Sequence, residues 1–148
     1  SFALPNGEFG NYAGSGFGVG GFWEKSFTGN FSGNASVQYL TFGEKDEGDG
    51  THKILGLNYD LHYYPGDGFS GFYGLAGLGY HSYANTWSSA DGDVSESLTG
   101  LAINVGAGYY FTENLGAEVR LSTAKFGNSD YDLEERTNWI QVSFRYRF

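Results

Sequence analysis

Residues 137–148 read T-N-W-I-Q-V-S-F-R-Y-R-F, and their alternation decides the fold. Ile140, Val142, Phe144, Tyr146 and Phe148 fall on one side, and Trp139, Gln141, Ser143, Arg145 and Arg147 on the other. A spacing of two is the period of a β-strand, whose side chains point to opposite faces in turn. What matters is which face carries what. In a soluble sheet the face turned to water is polar. In this segment both arginines stand opposite an unbroken aliphatic and aromatic stripe.

Working back from this end, the period recurs. Residues 115–125 set Leu115, Ala117, Val119 and Leu121 against Gly116, Glu118, Arg120 and Ser122. Residues 99–111 set Leu101, Ile103, Val105 and Tyr109 against Ala102, Asn104, Gly106 and Gly108. Residues 71–83 set Phe72, Leu78 and Tyr80 against Tyr73, Gly77 and His81. Residues 53–64 set Leu55, Leu57, Tyr59 and Leu61 against Gly56, Asn58, Asp60 and His62. Residues 31–42 set Ala35, Val37 and Tyr39 against Asn34, Ser36 and Gln38, and residues 16–25 set Phe17, Val19 and Trp23 against Gly18, Gly20, Phe22 and Glu24. Apart from Lys25, Lys53 and Lys125 at the segment ends, the charged residues are Glu24, Asp60, Glu118, Arg120, Arg145 and Arg147, and all lie on the polar face. A terminal lysine can snorkel to headgroups.

An apolar outside with a polar or small inside is what lipid demands. The pattern predicts an all-β fold, a closed antiparallel transmembrane β-barrel of eight strands, as a single domain over residues 1–148. Mean hydropathy is −0.37, and there is no run of about 18 apolar residues for a spanning helix. Glycine at 25 of 148 residues and aromatics at 19% fit tightly packed strands. Seven strands are visible, and a single-chain barrel has an even number, so residues 1–14 must supply the other. Pro5, Asn6 and Gly7 interrupt them, which predicts a short irregular strand within residues 1–10, then a loop, closing against the last strand. The absence of cysteine removes disulfides and thiolate chemistry. The absence of methionine predicts a mature chain from which a secretory leader has been cut.

The connections alternate in length. Those at 27–30, 65–68 and 112–114 are short, and the string F-T-x-N recurs at 27–30 and 111–114 as one turn solution. The segments 43–52, 85–97 and 126–136 are longer, each carries a net −3, and together they hold the whole formal charge of −9. Short turns on one side and long loops on the other predict periplasmic turns and acidic extracellular loops. Nucleic acid is not a partner for such a surface, which lacks a basic face.

The terminal aromatic with apolar residues at every second position before it (Phe148, Tyr146, Phe144, Val142, Ile140) resembles the insertion signal of outer-membrane barrels. Over residues 15–148 the chain resembles the small barrels of the OmpX/OmpA type, departing from them at residues 1–14. The resemblance implies a monomer in the bacterial outer membrane with both termini periplasmic. It also implies contact with the lipid bilayer and lipopolysaccharide, and recognition of the last strand by the outer-membrane assembly machinery. The roles it implies are broad: surface structure, adhesion, serum resistance or small-solute leakage.

The six inward charges are three acids and three arginines. An eight-stranded barrel is just wide enough for side chains to fill it, and buried charges are costly unless paired. Glu24, Asp60, Glu118, Arg120, Arg145 and Arg147 are therefore expected to form an ion-pair plug. Glu118 and Arg145 should be near cross-strand neighbours, because the hairpin 115–148 centres near residue 131. A wet lumen is the alternative, and with it a narrow passive pore. A lipid A-modifying enzyme is the third reading, since such barrels exist. Its chemistry needs a serine beside a histidine. His81 and Ser82 are adjacent in a strand and so point apart; His62 faces the lumen; His52 falls in an acidic loop. The expected reading is a non-enzymatic barrel without cofactor. Asp91, Asp93, Asp130 and Asp132 form loop pairs that could hold Ca²⁺, although none completes a 12-residue loop pattern, and solvated loops explain them as well. Trp23, Tyr63, Tyr80, Tyr109 and Trp87 are expected in interfacial girdles.

Overall fold

The computed structural model describes residues 1–45, 50–66, 71–89, 92–128 and 131–148, with side chains described throughout except at 28, 85–89, 92–96, 127–128 and 131–135. Eight strands close into one barrel in chain order, neighbours antiparallel, the last returning to the first. They are β1 Phe2–Asn6, β2 Ala13–Thr28, β3 Phe31–Glu44, β4 Thr51–Tyr63, β5 Gly71–Ser89, β6 Gly92–Tyr110, β7 Leu115–Asn128 and β8 Tyr131–Tyr146. One helical turn, α1 Phe9–Tyr12, lies between β1 and β2.

The alternation read from the sequence is the alternation of the wall. Val19, Leu57, Leu78, Leu101, Val119 and Phe144 are exposed on the outside, whereas Asn34, Asp60, His62, His81, Asn104 and Ser122 are fully buried inside. Trp23, Tyr63, Tyr80 and Tyr109 are exposed on the outer face as expected; the Trp87 side chain lies outside those described. Large inward side chains fit because glycine sits opposite them. A Cβ on Gly108 would strike the Tyr73 ring, and one on Gly77 would strike Asp60. This is the small-against-large arrangement that fills a narrow barrel.

Three expectations need correction. The segments 85–97 and 126–136 are not simply loops: β5 and β6 stay paired out to Ser89↔Gly92, and β7 and β8 to Asn128↔Tyr131. Backbone rungs do not depend on side-chain polarity, so the ladders run on past the apolar band. His52, read as a loop residue, is the second residue of β4 and is buried. The stretch after β1, read as loop, contains α1.

The first strand falls where it was expected. Ser1 and Gly18 exchange backbone bonds of 2.8 and 3.0 Å, so Ser1, Ala3 and Pro5 face β2 while Phe2 and Leu4 face β8. The β1–β2 ladder stops at Ala3↔Gly16. The N–H that Pro5 lacks is therefore missing where no rung exists, and on the β8 side pairing continues to Asn6↔Asn138.

The two F-T-x-N turns differ in form and share a job. Gly29, at φ 55°, tightens the first. In the second, Thr112 Oγ1 accepts from the N–H of Leu115 at 3.0 Å. Each asparagine then reaches the end of the next segment on that rim. The Asn30 carbonyl accepts from Tyr64 N–H at 2.8 Å, and the Asn114 carbonyl from Arg147 N–H at 2.7 Å.

Candidate functional site

The described inward side chains fall into three tiers. Nearest the short turns, Tyr64, Tyr73 and Tyr110 pack together with Leu75. Beside them Glu24 is a hub. Its Oε1 accepts from Ser32 Oγ at 2.5 Å and Tyr64 Oη at 2.7 Å, and His62 Nδ1 lies 3.2 Å away. Its Oε2 binds Arg147 Nη2 at 2.6 Å, and the Arg147 guanidinium lies 4.1 Å over the Tyr110 ring.

The middle tier is a connected polar chain. Arg120 Nη2 bridges Asp60 Oδ2 at 2.7 Å and Glu118 Oε1 at 3.0 Å. Glu118 Oε2 takes Arg145 Nη1 and, at 2.8 Å, the Tyr73 hydroxyl. Asn104 Nδ2 donates to Asp60 Oδ1 at 3.2 Å and to Asn58 Oδ1 at 2.9 Å, which also meets His81 Nε2 at 2.8 Å. Ser122 donates to Asn104 Oδ1 at 2.8 Å. Asp60, Glu118, Arg120 and Arg145 are each at least nine-tenths buried. The six charges singled out from the sequence thus meet in two groups, Asp60–Arg120–Glu118–Arg145 and Glu24–Arg147. Glu118 pairs with Arg145 diagonally: its directly opposite partner is Ser143, and that of Arg145 is Gly116.

The third tier was missed. Toward the loop end the inward side chains turn apolar: Leu40, Phe42, Ile54, Tyr83, Phe126 and Trp139 are all buried in one cluster with Phe9 of α1. Phe9 meets Phe42 edge-on at 5.2 Å and Tyr83 at 6.2 Å. His52 Nδ1 lies 2.7 Å from the Tyr83 hydroxyl. Lys45 ties α1 down, its Nζ donating to the Gly10 carbonyl at 2.8 Å. Strand parity held the signal for this tier, because Leu40 and Phe42 continue the inward series Asn34, Ser36, Gln38. For Phe9 there was none, since an aromatic in a loop has no period.

The three histidines are each engaged inside the wall, with Glu24, Asn58 and Tyr83. Of the acidic candidates for Ca²⁺, Asp91 and Asp130 lie outside the described residues, as do the side chains of Asp93 and Asp132. Ile140, Val142, Phe144, Tyr146 and Phe148, whose spacing resembles an insertion signal, all face outward, and the Tyr146 and Phe148 rings meet edge-on at 5.0 Å.

β1 has 5 residues against 16 each in β2 and β8. Below Ser1, toward the turns, β2 and β8 face each other across a slot that opens a cavity of about 790 Å³. Inward polar residues, among them Asn34, Gln38, Gln141 and Arg145, line its floor, and Val19, Trp23, Phe144 and Phe148 its rim. Two side-chain contacts cross it: the Arg147–Glu24 pair, and the Arg145 guanidinium 3.9 Å over the Phe22 ring.

A family model for the outer membrane protein β-barrel domain matches residues 1–148. No curated protein matches the chain. Among solved structures, it is similar to the crystal structure of the N-terminal β-barrel domain of Pseudomonas aeruginosa OprF. That match has a TM-score of 0.59 at 18% identity, and covers 98% of this chain and 96% of that one. At this identity the likeness concerns the fold.

Proposed function

Because the chain belongs to the outer membrane protein β-barrel family, we propose that it is a structural and surface-interaction barrel of the bacterial outer membrane whose lumen is closed by its own side chains. The observation that carries this reading is the tiered filling. An apolar layer from Leu40 to Trp139, seated under Phe9, lies across the bore above a paired charge network. Ions and small solutes would have to cross the apolar layer, where a charge loses its hydration without a partner. The reading includes no catalysis: each histidine is held by a lumen partner, and Ser32, which lies opposite His62 in the β3–β4 register, gives its hydroxyl proton to Glu24 and not to the imidazole, unlike the pairing that acyl chemistry needs. Liposomes carrying the protein are expected to swell in arabinose no faster than empty ones. Swelling proportional to protein content would favour the narrow pore.

The same reading places both termini and the short turns in the periplasm. The long hairpins then project outward, with lipid and lipopolysaccharide around a monomer. It also assigns Ile140, Val142, Phe144, Tyr146 and Phe148 to recognition by the assembly machinery. Phe148 is fully exposed, and its one ring partner among the described residues is its near neighbour Tyr146. Deleting it should therefore lower outer-membrane yield in cells severalfold while costing refolding into detergent no more than about 1.5–3 kcal/mol. Equal losses in the two assays would mean that Phe148 acts through stability alone.

A further inference from the structure

We propose that the outer face of the β7–β8 hairpin binds a phosphorylated lipid headgroup, which Lys125 and Arg136 hold between them. The proposal rests on the outward orientation of the long hairpins given above, and it names the lipid that this hairpin meets. The first argument is the register. Lys125 and Arg136 stand directly opposite each other on β7 and β8, and both are exposed. Side chains paired in this way have Cβ atoms about 4.5–5.5 Å apart, and like charges so placed repel. Among the described strand pairings no other sets cation against cation: Lys53, for example, stands between Thr41 and Ala84. On β8 the next residue of the same parity is Glu134, and two cations with one acid still sum to +1. An anion placed between the two heads turns the repulsion into attraction. A phosphate monoester carries about −1.5 to −2 with three acceptor oxygens, and a guanidinium can bind it through two parallel bonds.

The second argument is height. Leu115 pairs with Tyr146 at the turn end of this hairpin, and Lys125 with Arg136 ten residues further along each strand. At roughly 3.4 Å per residue and a tilt of about 40°, ten residues rise about 25 Å. That is the height of the apolar band of such a barrel. The cation pair therefore stands where acyl chains end and headgroups begin.

The third argument is the order of the layers beneath the pair. One outward step toward the turns, Thr123 faces Asn138, which also faces Asn6 of β1. These three side chains form a hydrogen-bonding row across β7, β8 and β1. One step further, Leu121 faces Ile140, which also faces Leu4, and Leu101 on β6 stands beside Lys125. All four are exposed. The face thus offers two cations at the top, hydroxyl and amide groups below them, and an aliphatic skirt below those. A lipid with a phosphate on a sugar or glycerol headgroup has the same three layers in the same order. A soluble anion would use the top layer alone. In the outer leaflet, which these hairpins face, the occupant that fits is the phosphorylated glycolipid part of lipopolysaccharide.

The test uses the full chain refolded in zwitterionic detergent micelles, titrated with lipid A bearing its phosphates, with dephosphorylated lipid A, and with inorganic phosphate. The readout is the NMR shift of the Thr123, Lys125, Arg136 and Asn138 amides and of the Arg136 side chain. Phosphorylated lipid A should saturate these shifts, with an affinity at least about tenfold above that of either other compound. Lys125→Gln with Arg136→Gln changes two exposed side chains, so it should leave the barrel folded and abolish that preference, whereas Lys53→Gln should leave it intact. Equal binding of the dephosphorylated lipid would overturn the proposal, leaving only the apolar skirt. Equal binding of inorganic phosphate would make the site one for a soluble anion. An equal loss in Lys53→Gln would mean diffuse attraction without a site. The titration does not depend on how the barrel lies in the cell. A tag inserted at the tip of the hairpin, between residues 128 and 131, and probed with antibody on intact cells tests that separately. A hidden tag with binding intact would overturn the outward orientation and the outer-leaflet source with it; an exposed tag with no phosphate preference would overturn the site alone.

Discussion

Arg145→Met is expected to lower the unfolding free energy in lipid vesicles by about 3–5 kcal/mol, the cost of leaving a buried charge uncompensated. The bereft group is Glu118, 4% exposed, which then keeps Arg120 and the Tyr73 hydroxyl but loses its second cation. Glu118→Gln in the same chain removes the stranded charge and should recover part of the loss. The double variant is thus more stable than the sum of the singles, by a coupling of about 0.5–3 kcal/mol. Urea titration of both singles and the double measures it. Were Arg145 solvated in an open channel, its removal would cost under about 1 kcal/mol, as at a surface pair, and the cycle would be additive.

Trp139→Ala should cost about 3–5 kcal/mol by a different route, lost burial plus an unfilled void. Among the described residues Trp139 is the largest fully buried side chain, 5.4 Å from the His81 ring in the apolar tier. Its indole N–H has no partner among the described residues. The loss therefore follows volume and not a hydrogen bond, and Trp139→Phe should cost distinctly less than Trp139→Ala. Equal losses for the two would place the effect in the indole N–H and contradict the packing account.

The barrel was legible because lipid imposes a period-two pattern with inverted polarity, and residues 137–148 display it without a break. The charge network was legible for the same reason: Glu24, Asp60, Glu118, Arg120, Arg145 and Arg147 share one parity, and a narrow bore brings equal parity together. What parity cannot give is height along the bore. Leu40 and Trp139 share the lumen face with Gln38 and Gln141, yet they form a separate apolar tier, and nothing local in the sequence marks where one tier ends. Strand ends were also obscure, because pairing in β5–β6 and β7–β8 runs past the apolar band on backbone rungs that side-chain chemistry does not report. α1 was invisible, since a single turn, tied down by Phe9 and Lys45, is too short to show a period.

The central claim is that the described side chains close the bore, and electrical recording in planar bilayers tests it most directly. Purified protein added to a lipid bilayer in 1 M KCl, a salt level at which the Debye length is about 3 Å and field effects at the mouth are screened, should leave the current at that of bare lipid. Trp139→Ala, which opens a void in the apolar tier, should under the same conditions pass current in brief openings. Steady ohmic steps from the wild-type protein, scaling with the amount inserted, would contradict the closed lumen and establish the pore.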